Sequence, residues 1–366
     1  GSCLTTDLDC YEQIRAQYSQ NLEKGFLQED GSYHPALRTV ILMNEPDLKF
    51  NGMLSFKKAL VSAFDAVLSA EKEAGVVGDA PNFTVTFSFG VCPQCEKYGY
   101  KPGLGQMLEL RDAIRDPASV GYRPRNDLWT NYKFRFVNSV NTANPFTDIK
   151  RLFLDDYDAL FMGTPVFIGE YHDPDVYERQ DLQGILAIAE DESTLLSGIA
   201  FFEFQVRYDK GGSEMGFGMF GLSEERKVAE FTLEFRPFTA WCLTPVKAEG
   251  RRSPPGTSRF LEASQDAYVH AAVAKAFGGA GVGEDQLCPA TASSPGRAQP
   301  AAAEGGRAQG ARAAGGLPKP LVPVTWIGCF APGKKQGRLF VGTGSSSDAC
   351  AESCENFGLA LLKSGG

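Results

Sequence analysis

Two carboxylates stand where an α/β fold exposes reactive groups. Short apolar runs end in Asn44-Glu45-Pro46 and in Gly169-Glu170-Tyr171-His172, which places Glu45 and Glu170 at predicted strand ends 125 residues apart. Functional groups of parallel α/β folds gather at the carboxyl ends of strands. Paired carboxyls there suit glycosidic cleavage: a neutral acid protonates the leaving oxygen, and an ionised partner attacks or stabilises the anomeric carbon. A lone strand-end glutamate is more often a loop acceptor or a helix-cap neighbour. The two together are far more specific.

Other side chains invite weaker readings. Asn138, Asn141 and Asn144 surround a third strand end and suit sugar hydroxyls, although asparagine is also the ordinary turn residue. Tyr171 suits a sugar platform or a packing role. His172 is one of three histidines, with His34 and His270, and no metal-ligand spacing links them, so no cofactor is expected. Trp129, Phe202, Phe204 and Phe217 suit stacking on pyranose rings, against the usual core role of aromatics. Cys92-Pro93-Gln94-Cys95 lacks the thioredoxin-like context of a redox dithiol, which leaves a loop disulfide or two free thiols. A thiol oxidoreductase using this pair would keep its activity after loss of both glutamates.

The elements that must position these groups follow from apolar spacing. Leu8, Tyr11, Ile14, Tyr18 and Leu22 predict a helix over 7–24. Strands are predicted at 39–43, 83–89, about 133–140, 165–169 and 198–204. Between them lie helices carrying Phe56, Leu60, Phe64, Val67 and Leu68, then 104–115, then Ile149, Phe153, Tyr157 and Leu160, then 178–190. Five strands alternating with helices imply a parallel sheet covered by helices.

Asn44-Glu45-Pro46 and Ile168-Gly169-Glu170-Tyr171 resemble the fourth- and seventh-strand signatures of clan A glycoside hydrolases. The segments Phe201-Phe202-Glu203-Phe204-Gln205, Lys210-Gly211-Gly212-Ser213-Glu214 and Phe217-Gly218-Met219-Phe220 resemble the eighth-strand region of glycoside hydrolase family 17. The β-1,3-glucanosyltransferases of family 72 have a comparable strand. The resemblance spans roughly 35–225. It implies a (β/α)8 TIM barrel acting with retention on a β-glucan, β-1,3-linked by family. Glu45 would be the acid/base, its pKa raised by an ionised Glu170. Glu170 would be the nucleophile, and Asn44 would hold the sugar 2-hydroxyl. Tyr171, His172, Asn138, Phe202, Glu203 and Glu214 complete the expected substrate contacts. Trp326-Ile327-Gly328-Cys329-Phe330, with Cys350 and Cys354, resembles the opening of a WSC carbohydrate-binding module, cut short at residue 366.

Composition sets the frame. Of 366 residues, 36 are basic and 45 acidic, a net charge of −9, which argues against a surface built for nucleic acid or anionic lipid. At 43% hydrophobic the chain can bury a core, yet no apolar run approaches the roughly 20 residues that span a bilayer. The nine cysteines are odd in number and cluster unevenly; their close spacing in loops and at the C-terminus, and the sequon Asn82-Phe83-Thr84, favour an oxidising compartment, so an extracellular or cell-wall location is expected. An Ala/Gly/Pro/Arg-rich tract at about 289–323 has too few large apolar residues to offset its ordering entropy. The expected division is a barrel portion at 1–245, a linker with a short helix (about 258–277) at 246–325, and a partial module at 326–366.

One feature resists this frame. If Glu45 closes a fourth strand, only about 38 residues precede that strand, enough for one helix, and five strands cannot close a barrel. An incomplete barrel, about strands four to eight, is therefore expected. The expected partner is a polysaccharide or oligosaccharide, with no nucleic acid and no membrane insertion. The alternatives are a β-glucan transglycosidase and a non-catalytic glycan-binding or cell-wall protein with a degenerate barrel.

Overall fold

Alternation of apolar and small polar residues along the strands sorts them onto two faces, and the structure keeps that sorting. A computed structural model describes residues 3–49, 55–97, 101–233, 236–248, 251–257, 266–283 and 287, and the strands at 324–331 and 338–344. Helix α1 (Tyr11–Asn21) precedes β1 (Thr39–Asn44). Helices α2 (Pro46–Lys49) and α3 (Ser55–Ala74) lead to β2 (Asn82–Phe89). Helices α4 (Pro93–Lys97), α5 (Leu104–Arg115) and α6 (Leu128–Arg135) lead to β3 (Asn138–Thr142). Helix α7 (Phe146–Ile149), a π turn (Lys150–Leu154) and α8 (Asp155–Leu160) lead to β4 (Val166–Tyr171), and α9 (Glu178–Glu190) leads to β5 (Leu196–Phe201).

The five strands are parallel and lie in strictly sequential order, β1-β2-β3-β4-β5. Right-handed crossovers that always step the same way bring the crossover helices to one face. That face holds the core. Phe83, Val85 and Phe87 of β2, Val140 of β3 and Val166 and Ile168 of β4 pack with Phe56 and Phe64 of α3, Met107 and Leu110 of α5, and Ile185 of α9. Edge-on ring pairs Phe64–Phe83 (5.8 Å) and Phe56–Phe87 (5.9 Å) lock α3 onto β2. The opposite face carries small polar side chains: Thr84, Thr86 and Ser139 are buried, and the Thr86 and Ser139 hydroxyls are 3.2 Å apart. Both edge strands are half-exposed over most of their length, and among the described residues no strand pairs with their outer edges.

Local chemistry moves several boundaries. The strand expected at 133–140 is helical up to Arg135, because the Asp127 carboxylate accepts from Thr130 N at 3.0 Å and caps α6. The Lys133-Phe134-Arg135-Phe136 alternation is not a half-buried strand: Phe134 is 78% exposed. The first helix begins only at Tyr11, since Asp7 and Leu8 have left-handed backbones (φ 52° and 59°), and it ends in a π turn at Leu22–Phe26. After Phe201 the chain leaves the sheet and runs beside 217–220, with Met219 N donating to Glu203 O (2.9 Å) and Val206 N to Phe220 O (2.8 Å).

Strands β6 (Phe220–Leu233) and β7 (Arg236–Pro245) form an antiparallel hairpin, and α10 (Val269–Ala276) follows. Ala248, Val269 and Val273 join the main core, so that core continues past residue 245 into the segment expected as linker. Of the helix expected at 258–277, residues 258–265 lie outside the described residues. Disulfides join Cys3 to Cys10 and Cys92 to Cys95, and Cys242 is also disulfide-bonded, so the CPQC sequence forms a disulfide that ties the loop residue Cys92 to the first turn of α4. Strands β8 (Val324–Ala331) and β9 (Arg338–Gly344) pair as a hairpin. The tract at 289–323, Cys350 and Cys354 lie outside the described residues. Among the described residues no helix is long and apolar enough to cross a membrane.

Candidate active site

Two irregularities in register aim the key side chains. Leu42 is an extra residue in β1, between Ile41 opposite Thr84 and Met43 opposite Val85, so Asn44 pairs with Thr86 on the polar face. Gly169 is the extra residue in β4, between Ile168 opposite Val140 and Glu170 opposite Asn141. Such bulges re-aim side chains and cluster near active sites. Glycine suits position 169: a Cβ there would stand 2.9 Å from Asn141 Oδ1 and 3.0 Å from Ser139 Oγ, and those side chains would have to give way.

The two carboxylates share one hydrogen-bonded network. Asn44 Nδ2 donates to Glu170 Oε1 at 3.0 Å. Asn141 Nδ2 donates both to Asn44 Oδ1 and to Glu45 Oε1, each at 3.1 Å. Asn44 and Glu170 belong to strands three steps apart, roughly 14 Å on a flat sheet. A direct hydrogen bond across that span requires a sheet curled concave toward these groups. Glu45 is fixed by Glu45 N donating to Thr86 O at 2.7 Å, and Asp47 just beyond it accepts from Ser88 N and Oγ.

Electrostatics distinguish the acids. Burial, and then the charge of Glu45, push the Glu170 carboxyl up; the Asn44 amide, Lys210 and the Asn141 amide oppose that shift. Glu203 is pushed up to about 7 by burial, against the pull of Arg207 and Lys210 and with help from Glu214 and Glu170. Its Oε1 is buried without a hydrogen-bond partner, and its Oε2 is 3.9 Å from Arg207. Glu203 therefore belongs to the electrostatic field of Glu170. Glu214 reaches that field only by its charge, for its carboxylate is partly exposed and paired with Lys210 at 2.8 Å.

Three expected sugar contacts lie elsewhere. Asn138 is on the helix side of β3, where its amide donates to the Tyr157 hydroxyl at 2.8 Å. Tyr171 is fully buried on the helix side of β4 and donates to Asp181 of α9. His172 is 2% exposed; its Nδ1 donates to the carbonyls of Phe202 (2.9 Å) and Phe217 (3.0 Å), and its Nε2 faces Glu178 (3.4 Å). These residues support the site from behind. Phe202 is half-buried and meets Phe217 edge-on at 5.6 Å, beside Glu203. Phe204 is buried against Phe220, and Trp129 stacks on Tyr132.

Asn141, not Asn138, is the asparagine that the fold brings to the carboxylates. Strand parity carries the signal: Asn141 shares a face with Ser139, two residues away. Lys210 was marked only by the glycines that follow it.

No family model and no curated protein sequence matches the chain.

Proposed function

We propose that the chain carries the catalytic centre of a retaining β-glycosidase of the clan A type, acting on a β-glucan, with β1 to β5 corresponding to strands four to eight of a barrel. The observation that carries this reading is the Asn44–Glu170 hydrogen bond, which joins the two strand-end signatures across three strand steps. Sequential parallel order, curl toward the polar face and outer edges that no described strand covers all agree with an arc of a barrel. The disulfides agree with an oxidising, extracellular setting. Trp326, Cys329 and Phe330 fall on β8, in the region likened to a WSC module.

The chemistry is a double displacement. Glu170, as carboxylate, attacks the anomeric carbon while Glu45 gives its proton to the departing oxygen. Glu45 then takes a proton from water as that water attacks the anomeric carbon and frees Glu170. When Glu45 holds the proton, its repulsion of Glu170 disappears, and the Asn44 and Asn141 amides and Lys210 favour the Glu170 carboxylate against its burial. An acceptor sugar in place of water would give transglycosylation through the same intermediate.

The test is hydrolysis of an activated aryl β-glucoside and of laminarin by wild type and Glu170→Gln. Wild-type turnover that falls at least ~1000-fold in the variant supports the reading. Unchanged turnover in the variant removes Glu170 as nucleophile, and no turnover by folded wild type sinks catalysis by this chain.

A further inference from the structure

Resting on that reading, the geometry points to Asn141 as a positioning residue that sets the direction of the whole hydrogen-bond relay, Glu45–Asn141–Asn44–Glu170. An amide nitrogen only donates. Asn141 Nδ2 spends its two hydrogens on Glu45 Oε1 and Asn44 Oδ1. With Asn44 Oδ1 committed to that bond, the Asn44 amide must turn its own Nδ2 outward, and Glu170 Oε1 receives it. One side chain on β3 thus fixes the orientation of Asn44 and the donor that Glu170 sees.

The same contact sorts the oxygens of Glu45. Oε1 accepts from Asn141, so the transferable proton belongs on Oε2, and the acid presents one defined oxygen to a leaving group. Asn141 is 4% exposed and stands opposite Glu170 in the ladder; its Oδ1 is buried beside Gly169 without a hydrogen-bond partner, so the two acceptors on its Nδ2 are what orient the amide. Neither carboxylate touches this position by sequence neighbourhood. The relay exists only because the sheet curls.

The charged groups acting on Glu170 are Glu45 and Lys210, with Glu203 coupled to it from the segment after β5. Removing Asn141 takes a donor from this set and adds no charge. The experiment compares wild type, Asn141→Ala and Asn141→Asp by steady-state kinetics across pH and by carbon-13 titration of the glutamate carboxyls. For Asn141→Ala the expected result is a fall in kcat of roughly 100-fold with little change in KM, and a Glu170 titration moved to higher pH. Asn141→Asp should lose kcat as well and move the alkaline limb of kcat/KM upward, because a third carboxylate disfavours ionisation of its neighbours. A merely structural role would leave the limb and the titration in place.

If Asn141→Ala fails to fold, Asn141→Ser keeps one donor and is read in the same way. Wild-type kcat, pH limb and Glu170 titration in a folded variant overturn the relay. Absence of turnover in wild type overturns the glycosidase reading alone, since the carboxyl titration still decides whether Asn141 holds the pair.

Discussion

Glu45 has a left-handed backbone, φ 52°, which an L-residue with a Cβ adopts at a cost of order 1–2 kcal/mol. The bond from Glu45 N to Thr86 O and the turn closed by Leu48 N hold it there. At this position the usual order of substitutions should reverse: Glu45→Gly is expected to be more stable than Glu45→Ala by about 1 kcal/mol. Urea melts of the two variants check this, and an Ala variant at least as stable would show that the turn is unstrained. The same scale shows what the sequence could reveal. Glu45 and Glu170 were legible as a pair, because two carboxylates at strand ends are far more specific than either one alone. The choice between Asn138 and Asn141 needed the starting parity of β3, which a helix running to Arg135 had hidden. Strict alternation would have turned Glu170 to the helix side with Ile168; the extra residue Gly169 reverses that. A bulge leaves no periodic trace.

Among the elements, helices with a clear apolar face were read nearly to the residue: α5 and α9 run over Leu104–Arg115 and Glu178–Glu190. The segment after β7 was not, because it binds through isolated contacts rather than a periodic face. Arg252 N donates to Asp175 O, Tyr177 N to Arg252 O, and α10 packs on α9. One of its anchors is ionic. Arg251 pairs with Glu178 at the start of α9, where the carboxylate side chain is 0% and the guanidinium 9% exposed. Removing one partner of a buried pair strands the other charge and costs roughly 3–5 kcal/mol. Arg251→Ala is therefore expected to lower stability by that amount, while Arg251→Met with Glu178→Leu recovers most of it. Calorimetry of the single and double variants decides; a loss below about 1 kcal/mol would mean that the pair behaves like a surface one.

Over the whole molecule, protons link the site to stability. Burial pushes the carboxyls of Glu203 and Asp181 up to about 7 each; in Asp181 the Tyr171 hydroxyl and the Phe146 N–H oppose it. In the unfolded chain both return to about 4. Between about pH 4 and 7 the folded chain thus holds more protons than the unfolded one at these two groups, and their contribution to stability falls as pH rises. The melting temperature is expected to decline from pH 5 to 8, less steeply in Glu203→Gln. A slope unchanged by that substitution would remove Glu203 from the account. The curl of the sheet has a consequence of another kind. Because Asn44 and Glu170 touch across three strand steps, and no strand among the described residues pairs with either outer edge, their separation acts as a gauge of curvature. A slight flattening, shared as a few degrees between each pair of strands, leaves every ladder bond intact and yet draws the two carboxylates apart. The proposed chemistry would fail by loss of shape well before the fold fails by loss of contacts.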